Sequence, residues 1–429
     1  MSSIFSLSET LPVAFNRKDF RVNKKLTFSV IIVALLLAFI LPTAAQEQVT
    51  LTYALWDNNQ LPAHQQIIDM FEAEHPNIHI EPQVFPWDNY WDKLQTSVAG
   101  GEAFDLFWLN ATNFPVYAGR GALLDLQPMV DSGDIDMSVF PQSLIDLYTF
   151  DGDVYGIPKD FDTIALYYNK DLFDAAGLAY PDDTWTWDDL KSAAEKLTGD
   201  GIWGFIAQPG GQVSLYNFIL QNEGHILSDD NNALLIDEPA SCDAVKYLYS
   251  FVDEGLSPDG ATQQSADPES TLFPGGVAAM MTSGSWNAAP FHDAANIGVA
   301  PLPMGKQRAS VIHGLANVVW SGSAHPEEAK EFVKYLSTSD YASVQAETGT
   351  VIPAYNGYAQ TWVDSIPDMD LQVFIDATEY SQPLPVAGAK GREWQLRMDE
   401  VLLDVWSGNI PIDEACSRAA EAANAVLNQ

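Results

Sequence analysis

Three short clusters carry residue types able to do recognition chemistry. Trp56-Asp57-Asn58, Pro86-Trp87, and Asn110 with Asn113 set flat aromatic rings beside carboxylate and amide groups. An indole face covers apolar C–H surface, while carboxylates and amides accept or donate hydrogen bonds at its rim. Such clusters suit a polar ligand. A phosphate site would want a glycine-rich turn and a basic residue, and neither accompanies them. No G-x-S-x-G elbow and no P-loop occurs. His75 and His79 are interrupted by Pro76, and no H-E-x-x-H pairing exists, so no zinc site is expected. Asp131, Asp134 and Asp136, like Asp229 and Asp230, lack calcium-loop spacing and read as turns or solvated surface. Neither metal nor cofactor is expected.

The elements that must position these clusters follow from periodicity. Val49, Leu51, Tyr53 and Leu55 alternate with Thr50, Thr52 and Ala54, a strand pattern. Pro62 opens a helix carrying Ile67, Ile68 and Phe71, and Pro76 ends it. Ile78, Ile80 and Val84 predict a second strand, and Asp88 is expected to cap a helix that stops at Gly100-Gly101. Phe104–Leu109 reads as a third strand. This β-α-β-α-β order predicts a parallel α/β sheet, in which ligands gather beyond the carboxyl ends of strands. The three clusters stand at those ends.

Beyond residue 160 the spacing predicts strands over Thr163–Tyr168, Trp203–Ala207 and Val277–Met281. It also predicts a hairpin over Ser228–Ile236 and helices around Leu190–Leu197, up to Trp406, and over Pro411–Leu427.

Composition narrows the class. The chain has 429 residues, enough for roughly two domains of about 100–200 residues each. Twenty basic against 58 acidic residues give a net charge of −38, which repels phosphate backbones and excludes nucleic acid as a partner. Residues 1–25 are basic, Leu26–Leu41 carry no charge, and Pro42 then Thr43-Ala44-Ala45 supply a small-residue exit. Residues 1–45 therefore read as an export signal peptide, without a cysteine for lipid attachment, placing the remainder at the periplasmic or extracellular face of the membrane. The bland alternative is an uncleaved anchor, for which 16 apolar residues are slightly short. Cys242 and Cys416 lie 174 positions apart and are expected as two buried free thiols rather than a pair.

The order of the segments resembles the family 1 extracellular solute-binding proteins of ABC importers, the group of the maltose-binding protein. The carrying stretches are VTLTYALWDN, DMFEAEHPNIHIEPQVFPWDNYWDKLQTSVAGGEAFDLFWLN, DGDVYGIPKDFDTIALYYNKDLFDAAGL, PGGVAAMMTSGSW, HPEEAKEFVKYLST, ETGTVIPAY and VWSGNIPIDEACSRAAEAANAVL. Phe104 replaces a proline usual in the family before the third-strand aspartate. The resemblance implies an α/β chain of two Rossmann-like lobes with a ligand cleft between them. Lobe 1 would take residues 46–160 with about 312–355, and lobe 2 residues 161–311 with about 356–429. Crossing segments would fall near 158–165, near 301–312 and after Pro353.

The same resemblance implies a non-enzymatic receptor, expected to be a monomer, that binds a sugar or oligosaccharide and delivers it to ABC permease subunits. It matches Trp286 to a sugar-stacking tryptophan and sets Trp394 near the cleft. It also puts Asp162 in a crossing segment, where its carboxylate can accept from sugar hydroxyls, with His313 as a weaker candidate. With Trp56, Asp57, Asn58, Trp87, Asn110 and Asn113, these form the expected ligand shell. The alternative is a secreted carbohydrate-active hydrolase, whose two carboxylates any chain this acidic can supply.

Overall fold

The computed structural model describes residues 48–429, and the expected export segment lies outside them. The first half of the chain builds β1 (Val49–Leu55), α1 (Leu61–Glu74), β2 (Ile78–Val84), α2 (Trp87–Gly100) and β3 (Leu106–Asn110). β1 pairs in parallel with both β2 and β3, as the alternation requires. The helix expected to be capped by Asp88 begins two residues earlier, at Trp87 with Pro86 as its N-cap, so Asp88 falls within the first turn. The fixed φ of Pro86 suits that boundary. At its other end Gly101 takes φ +72°, a left-handed cap that only glycine adopts without strain.

β3 is buried along its whole length because both of its faces are covered. Leu106 and Trp108 join one apolar cluster with Leu51, Tyr53 and Leu55. Phe107 and Leu109 join another with Ala54, Tyr90 and Trp91. A period-2 strand between two helical layers produces this near-continuous apolar run.

The strand β4 (Gly156–Asn169) is 14 residues long and almost wholly buried. Its first part, to Thr163, pairs antiparallel with β7 (Ser310–Val319), which in turn borders β3. From Ile164 onward its partners are β5 (Met280–Gly284) and β6 (Ile297–Ala300). One strand thus belongs to two sets of neighbours. The two-residue strand β8 (Ile352–Pro353) meets it at the changeover, opposite Asp160 and Phe161. Trp203–Ala207, expected as a strand, makes only isolated bridges at Trp203 and Ile206, and Ser228–Ile236 is held by a single bridge from Leu227 to Leu234.

The second half packs helices α3 (Trp187–Leu197), α4 (Pro239–Asp253), α6 (Glu393–Trp406) and α7 (Ile412–Leu427) into one core, and α5 (Pro326–Tyr335) covers β1. α3 starts with a reciprocal capping box between Thr186 and Asp189. The cysteines correct the expectation of free thiols: Cys242 on α4 and Cys416 on α7 form a disulfide, with Cα atoms 5.7 Å apart. Packing of the two helices, invisible in their spacing, brings them together. Among the described residues no helix is long and apolar enough to cross a membrane.

Candidate functional site

Where β4 changes partners, a cavity of about 860 Å³ opens. That volume suits a small-molecule ligand. One wall comes from the carboxyl ends of the first strands: Trp56, Asp57 and Gln60 after β1, Pro86 and Trp87 after β2, Asn110 ending β3. β4 and β7 supply Asp160, Phe161, Asp162, His313 and Leu315. The facing wall carries Trp286 and Asn287 after β5, with Gln212 and Val213 from a π-helical turn at Gly211–Leu215 and Glu269 from another at Pro268–Leu272. Such widened turns recur at functional sites because they re-aim side chains out of the helical register.

The aromatic groups are held firmly. Trp56 sits edge-on to Trp87 (centroids 5.3 Å apart), Tyr90 (5.0 Å) and Trp108 (5.0 Å). Tyr90 Oη donates to the Trp108 carbonyl at 2.7 Å and Trp108 Nε1 donates to Tyr53 Oη at 2.7 Å, so the ring cluster is tied to the sheet. Trp87 is the most open, 42% exposed. On the facing wall the Trp286 indole lies flat over Gly284, where a Cβ would stand 1.8 Å from the ring. Glycine at that position is a space requirement.

The polar groups are buried and strongly biased toward acid. A register shift in the β4–β7 ladder between Pro158 and Asp160 inserts Lys159 as an extra residue. The residue is 1% exposed, and its ammonium donates to Gln60 Oε1 at 2.7 Å, pairs with the Asp160 carboxylate and stands 4.3 Å over the Trp108 ring. Asp160 Oδ1 makes no close hydrogen bond, although the Leu315 N–H bears on the carboxylate. Burial pushes the Asp160 carboxyl up, against the Lys159 ammonium. Asp162 is also driven up by burial and then by the Asp160 charge, although Gln212 Nε2 donates to it at 3.0 Å. Glu269 is raised to about 6 by burial, with the Ser283 hydroxyl donating to it. His313, the ladder partner of Asp162, is lowered to about 4 by burial and its Nδ1 has no partner.

Of the residues expected from sequence, the cavity brings together Trp56, Asp57, Trp87, Asn110, Asp162, Trp286 and His313. Three lie elsewhere. Asn58 is exposed in the turn, where its carbonyl accepts from the Leu61 amide at 3.3 Å. Asn113 stands behind the wall, its amide and Nδ2 donating to Asn110 Oδ1 at 3.1 and 2.9 Å, and so positions Asn110. Trp394 corrects the expectation most clearly. It is fully buried among Met398, Leu402 and the other residues of the second core, because the first turn of α6 faces inward. Sequence reasoning missed Gln60, Asp160, Gln212, Glu269 and Asn287. Asp160 had a legible signal, two residues before Asp162 in the same segment; those on the π-helical turns had none.

Known proteins share this architecture. A putative binding protein of Brucella abortus is 27% identical over 321 residues, covering 71% of this chain and 76% of the relative. The arabinooligosaccharide-binding protein of Bacillus subtilis is 25% identical over 343 residues, covering 74% and 77%. Among solved structures, an ABC substrate-binding protein of Listeria monocytogenes in complex with cycloalternan superposes with a TM-score of 0.84 at 27% identity, over 89% of this chain and all of that one. The two-lobe α/β fold expected from the segment order is therefore the fold of this chain. Residues 56–343 match the bacterial extracellular solute-binding protein family, and with the cavity at the junction of two strand sets the chain belongs to that family, a group of binding proteins and not enzymes.

Proposed function

We propose that this protein binds a sugar or oligosaccharide in the cavity between its two strand sets and delivers it to the membrane subunits of an ABC importer. One observation carries the reading: indole rings from both strand sets, Trp56 and Trp87 from one and Trp286 from the other, line a single cavity together with carboxylate and amide groups. Flat rings fit the C–H faces of pyranose or furanose rings, and the polar groups take the hydroxyls. The ligands carried by the Bacillus and Listeria relatives support the same class. Hydrolysis is not proposed, although Asp160, Asp162 and Glu269 share the cavity.

In this reading residues 46–160 with about 312–355 form one lobe and 161–311 with about 356–429 the other. Ligand contacts both and so favours the closed arrangement. The protein works as a monomer at the outer face of the membrane, after removal of residues 1–45, and closure tells the permease that the receptor is loaded. The test is a calorimetric and tryptophan-fluorescence titration over a panel of oligosaccharides, with chromatography of the ligand afterwards. Saturable binding at micromolar affinity, about −8 kcal/mol, with intact ligand recovered supports the reading. Release of reducing ends, or no binding across the panel, overturns it.

A further inference from the structure

The cavity is acidic, and its walls lack the charge that would balance it. Asp57, Asp160, Asp162, Asp267 and Glu269 line it, and among the described residues no lysine or arginine does. Asp57 is engaged by its own turn, accepting from the Asn59 amide at 2.8 Å and Gln60 Nε2 at 2.9 Å. Lys159 compensates one oxygen of Asp160 from behind. The other, Oδ1, makes no close hydrogen bond on a residue only 3% exposed, although the Leu315 N–H bears on the same carboxylate. His313 adds no positive charge, and its Nδ1 is an unpartnered atom on the same wall. Arg392 lies against the rings of Trp87 and Trp91 and is not among the lining groups.

We propose that the ligand carries a basic nitrogen, so that the cavity prefers an aminated sugar to its neutral counterpart and rejects uronate- or phosphate-bearing sugars. The inference rests on the reading of this cavity as a sugar site. Hydroxyls satisfy carboxylate lone pairs but leave their charge buried. An ammonium set between Asp162 and the facing Glu269 forms charge-assisted bonds and neutralises the charge that closure strips of water. An anionic sugar adds like charge to acids that burial already opposes.

The experiment is isothermal titration at pH 7 of wild-type protein, Asp162→Asn and Glu269→Gln with matched pairs. Each neutral di- or trisaccharide of the gluco and galacto series is set against its 2-amino-2-deoxy counterpart, with N-acetylated and uronate forms alongside. The amine is expected to bind at least tenfold more tightly than its neutral partner, with the uronate undetectable. Each carboxamide variant should cut the ratio of amine to neutral affinity severalfold, whatever change it makes to the affinity for the neutral sugar itself. Equal or tighter binding of neutral sugars overturns this inference and leaves the sugar-receptor reading standing, as does an amine advantage unchanged in both variants. Binding of putrescine or spermidine with no sugar bound overturns both.

Discussion

Truncating Trp286 to alanine separates ligand recognition from folding. The indole is only partly buried and lies over the backbone of Gly284, on the fringe of the second core. A sugar ring stacked on its open face would cover roughly 70 Å² of apolar surface, about 1.8 kcal/mol at 25 cal/mol per Å². Ring-face complementarity adds about 0.5–1.5 kcal/mol. The sum, about 2–3 kcal/mol, corresponds to a roughly 30- to 150-fold rise in Kd. The fold should lose less than about 1.5 kcal/mol, because the ring fills no closed core position. Gly284→Ala is the companion variant, since the new methyl group cannot coexist with the ring where it lies. It should weaken binding although no contacting group is removed. The assay is calorimetric titration with the tightest oligosaccharide of the panel, beside thermal unfolding of the unliganded proteins. Wild-type affinity in Trp286→Ala, with the fold intact, refutes the placement of the ligand.

Trp394→Ala should do the reverse, costing about 3–5 kcal/mol of stability by opening a cavity in a closed core, with little change in Kd where the variant folds; denaturant unfolding beside titration checks this. Cys242→Ser should lower stability by about 2–5 kcal/mol, and reductant should lower the wild-type melting temperature while leaving the variant unchanged. Asp162→Asn should be more stable than wild type at pH 8, with the difference vanishing toward pH 4. The carboxyl of Asp162 is raised above its unfolded value, so folding takes up a proton and the wild type recovers stability as pH falls through the raised value toward 3.8. Thermal melts of both proteins across that range check the sign. A gap that widens on acidification would mean that burial does not dominate at this carboxyl.

Much of the fold was legible because its determinants are local. Alternation along Val49–Leu55 and Ile78–Val84, proline at the helix starts and glycine after α2 and α6 each act within a few residues, and these elements form as read. The strand-end rule then placed Trp56, Asp57, Trp87 and Asn110 together, since a parallel sheet aims its carboxyl ends one way. Where the cap was misread, at Asp88, the competing local preference of Pro86 prevailed.

Burial and long-range pairing lie beyond that reach. Trp286 and Trp394 are the same residue type near the ends of regular elements, yet one faces the cavity and the other the core, because the packing of α6 against its neighbours sets which side is inward. Cys242 and Cys416 meet only because α4 and α7 lie side by side. The chain by itself determined a parallel α/β sheet with aromatic and polar groups at its strand ends, and the resemblance of its segments to a known family implied the two-lobe receptor. Tertiary structure decided which acids share one cavity, how Lys159 compensates one of them, and which tryptophans meet solvent. Those properties depend on burial and on neighbours from other elements, as Gln60 and Trp108 surround Lys159, which no local pattern encodes.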